Sequence, residues 1–293
     1  MRIMVQDDGS DYDIDDGVYF EKDDLKDANG NHLDARGARQ RVRDALKDER
    51  LAYDAIVKTN CVRQKYPEGY HIDIPVYRIV RSKDASGNEV VEYELASGDN
   101  WVKSDARKVT RWYNDAVGTE LKAGDADTSQ LRRVTKLTKK MARSRSTWKS
   151  KTTSGICITK LIVDHFVSAL EQDDDALRET WKAIQTKLAL SLRIVHPVYT
   201  NTNLAEAGDE SVAFFRDCLN DAIETLKVLD EHDCTRKKVC KAWDTVFNTD
   251  YFSNQAAKDE SAAKSLLRPA AAVAAGPTFP NKPVTPNKSS GFA

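Results

Sequence analysis

Apolar residues recur at every second position in the first hundred residues and at every third or fourth position after that. Ile72, Ile74 and Val76 alternate with His71, Asp73 and Pro75, the period of a strand with one apolar face. The same reading predicts strands over 17–22, 60–66, 70–81 and 89–96. The last two form a hairpin around Ser86-Gly87-Asn88. A surface helix rich in Arg and Asp is predicted over 34–49. After Ser104, a residue suited to N-capping, helical periods follow at 105–117, 128–148, 155–171, 174–192, 209–229, 233–247 and 250–266. His196-Pro197 interrupts that series with an extended loop. The pattern predicts an α+β protein: a mixed domain over 1–103, a helical domain over 104–266 and a tail over 267–293. Four of the eight prolines lie from 277 on, at 277, 280, 283 and 286, and the tail is expected to be disordered.

Charge sharpens this outline. The net charge is −1 over 293 residues, which points to neither a nucleic-acid surface nor an acidic membrane. No run approaches the length of a membrane span and no secretory signal is visible. Five cysteines, odd in number and without CxxC spacing, read as reduced thiols in a cytoplasmic protein. Cys234, Cys240 and His232 form an incomplete set that suits packing better than zinc. Locally the balance is uneven. Residues 7–24 hold nine Asp or Glu, and residues 132–151 hold nine Lys or Arg and no acid.

The acidic run carries the candidate chemistry. In Asp13-Ile14-Asp15-Asp16-Gly17-Val18-Tyr19-Phe20, an extended backbone sends Asp13 and Asp15 to one face and Ile14 to the other. In His71-Ile72-Asp73-Ile74-Pro75-Val76-Tyr77, Asp73 projects opposite the isoleucines. If the two strands are neighbours, Asp13, Asp15 and Asp73 converge. Hard carboxylate ligands suit Mg²⁺, and two such ions can clamp the attacking and leaving oxygens of a nucleotidyl transfer. A solvated acidic loop is the plain alternative, but Asp73 sits within strand pattern, where an unpaired buried carboxylate is costly. An EF-hand fails on spacing: counted from Asp11, the sixth position is Asp16 and the twelfth Lys22. A phosphatase-type nucleophile fails because no apolar strand precedes Asp13.

These motifs resemble the CD-NTases, the bacterial cGAS/DncV-like nucleotidyltransferases of CBASS anti-phage defence. The similarity continues through Gly98-Asp99-Asn100-Trp101, Ser104-Asp105, Arg111-Trp112, Ser154-Gly155-Ile156 and Thr159-Lys160-Leu161, over about residues 1 to 250. It implies a DNA polymerase β-like palm with a C-terminal helical domain. It also implies synthesis of a cyclic di- or trinucleotide from ATP and other nucleoside triphosphates, with two Mg²⁺ ions and Mn²⁺ as the alternative metal. Asp13, Asp15 and Asp73 take the catalytic and metal-holding roles. Lys139, with Lys140 as the register alternative, matches a triphosphate-contacting lysine. Ser154 matches a serine near the donor nucleotide and is also a natural N-cap. Arg63 matches a base-contacting position, and a surface arginine is the competing reading. Tyr19 and Tyr77 are candidates for supporting stacking, and His71 for a group behind the metal ligands. One departure stands out. The family's Gly-Ser motif lies a helix and turn upstream of the first carboxylates, whereas here the only upstream Gly-Ser is Gly9-Ser10. The expectation is therefore a chain incomplete at its start, with reduced activity. Ser290-Gly291-Phe292-Ala293 suggests a terminus gripped by an E1/E2-like conjugating partner or another CBASS regulator. No stable nucleic acid and no membrane is expected as a partner. A regulatory binding module and a template-independent polymerase making linear chains are the alternatives.

Overall fold

The computed structural model describes residues 12–120, 129–170 and 172–266. The first part is built of β1 (Tyr12–Asp15), β2 (Val18–Glu21), α1 (Ala35–Ala45), β3 (Ile56–Val57), β4 (Val62–Lys65), β5 (Tyr70–Ile74), β6 (Val76–Lys83), β7 (Glu89–Ser97) and β8 (Asn100–Lys103). Then come α2 (Ala106–Glu120), α3 (Gln130–Ala142), α4 (Gly155–His165), α5 (Asp173–Leu190), β9 (Ile194–Val195), β10 (Asn203–Ala205), α6 (Glu210–Leu226), α7 (Arg236–Phe247) and α8 (Tyr251–Leu266). This is the α+β class expected. Tertiary contacts divide the chain into two units, Met1–Glu224 and Thr225–Ala293.

Two four-stranded sheets form the front of the first unit, ordered β1-β5-β4-β3 and β2-β6-β7-β8. They share a seam. β1 runs parallel to β5 with Asp15 opposite Asp73, and β2 runs parallel to β6 with Val18 opposite Val76, the same register offset on both sides. Asp16 N donates to Asp73 O and Val18 N to Pro75 O across the gap. The strand expected over 70–81 is therefore two strands, because Pro75 has no N–H to give the ladder. Opposite it, a Cβ on Gly17 would lie 3.3 Å from the Tyr77 ring. The hairpin forms as expected. Asp84 Oδ1 accepts from the backbone N–H of Ser86 and Asn88, and Gly87 takes φ +83°.

α1 is shorter than the expected 34–49 and is more than a surface helix. Asp34 caps it by accepting from Gly37 N. Its Ala35, Ala38, Arg39 and Val42 are buried, the i, i+3, i+4, i+7 stripe of an amphipathic helix. The three apolar members join Leu25, Val62, Val76 and Ala96 in the sheet core. Ser104 does not cap α2. Asp105 does, through Oδ1 to Arg107 N at 3.1 Å and Lys108 N at 3.3 Å.

Behind the sheets, α3, α4 and α5 pack around Trp181, which is fully buried and donates Nε1–H to Thr138 Oγ1 at 2.8 Å. α3 stops at Ala142 rather than 148, since Ser144, Ser146 and Thr147 favour turns over helix; Trp148 N bonds back to Arg145 O. α4 stops at His165 rather than 171. Thr180 Oγ1 and Gln130 Oε1 accept the N–H groups of Val167 and Ala169, so side chains on other helices take over what α4 would have used.

In the second unit, Asp244 on α7 caps the start of α8. Its carboxylate accepts from Phe252 N at 2.9 Å and Ser253 N at 3.0 Å. Among the described residues no helix is long and apolar enough to cross a membrane. The tail expected to be disordered lies outside the described residues.

Candidate active site

One face of the first sheet carries the acidic group. In-register pairing sets Asp15 directly beside Asp73 on parallel neighbours, and residues opposite each other in a ladder share a face. Asp13 stands two positions earlier, opposite His71; its side chain lies outside the described residues, as does Gly9-Ser10. Val62 and Ile74 turn to the other face and into the core. The phase of alternation expected from the sequence therefore holds. What it did not anticipate is burial: His71 and Asp73 are more buried than the isoleucines beside them, while Ile14 is exposed.

Asp73 is engaged. Arg63, its register partner on antiparallel β4, donates Nε–H to Oδ1 and Nη2–H to Oδ2, both at 2.7 Å. This planar fork is the strong form of an ion pair. It holds the Asp73 carboxyl below its usual range despite burial. Arg63 thus faces a carboxylate here, not open space for a base. The Cys61 thiol also hydrogen-bonds to this carboxylate, and the acceptor directions left over give room for a further ligand. His71 is buried with Nε2 lacking a hydrogen-bond partner. Cys61 escaped the sequence reading. It lies two residues before Arg63 on the same side, and its thiol is pushed up to about 11 by burial and by the Asp73 charge. The i, i+2 step back from Arg63 was the available signal.

Tyr19 and Tyr77, paired across β2 and β6, stack with centroids 4.8 Å apart. Burial pushes Tyr77 up to about 12. Arg107, the second residue of α2, lies 3.9 Å from the Tyr93 ring centroid and 5.0 Å from that of Tyr19. The tyrosines are a packed support, held from above by the first turn of α2.

A second group forms where α3 meets α4. Lys139 lies along α3, and its ammonium sits at the start of α4: a Cβ on Gly155 would be 3.4 Å from Lys139 Nζ. Ser154 caps α4, its Oγ accepting from Cys157 N at 3.4 Å. Burial, then the like charge of Arg143, pulls Lys139 down to about 8. The lysine has no carboxylate partner among the described residues. A buried cation at the positive end of a helix dipole is a poor arrangement alone and a good one around an anion. Lys140, the register alternative, is not the residue against Gly155.

The two groups use hard oxygens on one side and cationic donors on the other, the set needed to handle a metal-bound triphosphate. Residues 1–77 match the profile of the family described as cyclic GMP-AMP synthase DncV-like, nucleotidyltransferase domain. The chain shares the fold of Vibrio cholerae DncV cyclic AMP-GMP synthase solved with nonhydrolyzable GTP, with a TM-score of 0.59 at 20% identity, over 83% of this chain and 64% of that one. It also shares the fold of CdnC from E. coli MS115-1 solved with ATP, with a TM-score of 0.56 at 16% identity, over 81% of this chain and 78% of that one. The chain therefore spans less than two thirds of the DncV chain. The family match thus covers the carboxylate strands, and the likeness to the solved structures over the rest of the chain is one of fold.

Proposed function

We propose that this chain is a metal-dependent nucleotidyltransferase that makes a cyclic di- or trinucleotide from ATP and other nucleoside triphosphates, acting in anti-phage defence. The observation that carries the chemistry is the in-register parallel pairing of Asp15 with Asp73, with Asp13 two residues upstream on the same strand. The donor set fits Mg²⁺: carboxylate oxygens on adjacent strands, with room for water and phosphate oxygens. Asp13, Asp15 and Asp73 would hold the ions. When bound, the metal supplies neutralisation of the triphosphate and a lowered pKa for the attacking hydroxyl.

This chain's own residues do the rest. Lys139 and the N–H groups at the start of α4 bind the triphosphate and orient it. Ser154 reaches the same phosphates when its cap bond opens. Asp73 aligns the attacking ribose hydroxyl and accepts its hydrogen bond at an Oδ, which requires Arg63 to share or release that oxygen. Arg63, once released, can stack on or hydrogen-bond to a base. The ATP and GTP present in the solved DncV and CdnC complexes support triphosphates as substrates. The assignment to anti-phage defence, a cytoplasmic site of action and an E1/E2-like partner rests on the resemblance of the motifs and tail.

The test is thin-layer chromatography of products from labelled ATP, CTP, GTP and UTP, with Mg²⁺ and with EDTA. Phosphatase-resistant cyclic products are expected with Mg²⁺ alone, and none from Asp15→Asn or Asp73→Asn chains with unchanged circular dichroism. Linear chains would identify a polymerase instead. Product formation at the wild-type rate by either variant would remove the carboxylates from the mechanism.

A further inference from the structure

The core-facing stripe of α1 contains one residue that does not belong in a core. Ala35, Ala38 and Val42 are apolar, but Arg39 between them is 2% exposed. Its Nη2 donates to Gly98 O, in the turn between β7 and β8. Its Nε and Nη1 are buried without a hydrogen-bond partner. A guanidinium has five donors, and burying most of them unmatched is costly. Helix packing alone does not ask for this, since Met or Leu would fill the same stripe position.

Arg39 lines a cleft of about 320 Å³. Its other walls include Arg36 and Arg43 of α1, Lys58 and Thr59 after β3, and Asp99. Arg43 is held by Asp44 at 2.8 Å. Arg36 and Lys58 are exposed and take part in no ion pair among the described residues. Among the described residues of the wall, Asp99 is the one carboxylate, against four cationic side chains. Among the described residues no aromatic ring lines it, so these walls offer no platform for a nucleobase. None of its residues belongs to the Asp15–Asp73–Arg63 group or to the Lys139–Gly155 group.

We propose that this cleft is a second anion site, built for a compact oligophosphate. Lys58 and Arg36 at the mouth attract the charge, and Arg39 at the base supplies the donors that packing leaves unmatched. Two or three linked phosphates suit the volume and the positive excess better than one, and the missing aromatic wall favours the phosphate chain over a base.

Isothermal titration calorimetry of the full chain with tripolyphosphate, in EDTA, tests this. The background is Lys139→Ala, so that the α3–α4 group does not report. Binding is expected to persist in that background and to weaken roughly tenfold or more when Arg36→Glu and Lys58→Glu are added. Pyrophosphate and inorganic phosphate should bind progressively more weakly. No binding in the Lys139→Ala chain, or equal binding after charge reversal, overturns the proposal. Arg39→Met, added to the Lys139→Ala chain, supplies an independent arm read by thermal melting. The expected result is an unligated Tm equal to or above that of the Lys139→Ala chain, with the tripolyphosphate-induced rise in Tm lost. A lowered unligated Tm with that rise retained would make Arg39 a structural residue and overturn the assignment.

Discussion

Lys139 and Arg63 show how single residues are held away from their ordinary chemistry. Lys139 is pulled down to about 8 by burial. A triphosphate seated against it would restore the proton and raise its pKa in the complex. Binding should therefore take up a proton near and above pH 8. Affinity is full below that value and falls as pH rises through it. Calorimetry at pH 8.5 in buffers of different ionisation enthalpy should detect the uptake, and Lys139→Met should remove both uptake and slope. Arg63 acts in the opposite sense on Asp73, whose carboxyl it holds below the usual range. A depressed carboxyl stabilises the fold above its unfolded pKa of about 3.9, and that stability is lost as pH falls through the folded pKa. Arg63→Met should cost about 1–3 kcal/mol at neutral pH and flatten the acid limb in urea melts as pH falls below about 4. The same variant should bind Mg²⁺ more tightly without nucleotide, because a competing cation has been removed from Asp73.

Elements matter here chiefly through where they stop. α3 ends at Ala142 and α4 begins at Gly155, and the turns between them bring the last turn of one helix against the start of the next. Gly155 keeps open the space beside Lys139. Gly155→Val should leave the fold within about 1 kcal/mol of wild type, since the position is an exposed first helical turn, yet raise KM for nucleotide with a smaller effect on kcat. Equal changes in stability and KM would show that the glycine serves the helix and not the ligand. In the sheets, the Gly17–Pro75 seam divides each long strand without losing register. It keeps Asp15 and Asp73 level while freeing the second sheet to carry the stacked tyrosines.

At the scale of the molecule, the carboxylate group, the lysine group and the Arg39 cleft all belong to the unit Met1–Glu224. The unit Thr225–Ala293 has its own internal device in the Asp244 cap on α8, backed by the Arg236–Asp259 pair at 2.5 Å. Asp244→Ala should remove about 1–2 kcal/mol of local stability. It should speed hydrogen exchange in α8 while exchange in α3 and α4 stays slow. Faster exchange throughout would mean that the two units unfold as one.

Strand alternation in 13–15 and 71–77 was enough to assign the carboxylate face, because a period of two leaves a side chain only two directions. Helix and strand identity followed from periodicity for the same reason, and the motif order pointed to the family. Burial and partnership were decided by tertiary structure. Nothing local to Arg63 says that it will grip Asp73, since that depends on the antiparallel register of β4 on β5. Nothing local to Arg39 separates it from the exposed arginines of α1 until the helix is laid on the sheet. The early end of α4 was equally hidden: the acceptors for the N–H groups beyond it, Thr180 and Gln130, come from α5 and α3. Period and composition are properties of neighbours in the chain, whereas the charge state of Lys139 and the pairing of Asp73 are set by residues brought close only by folding.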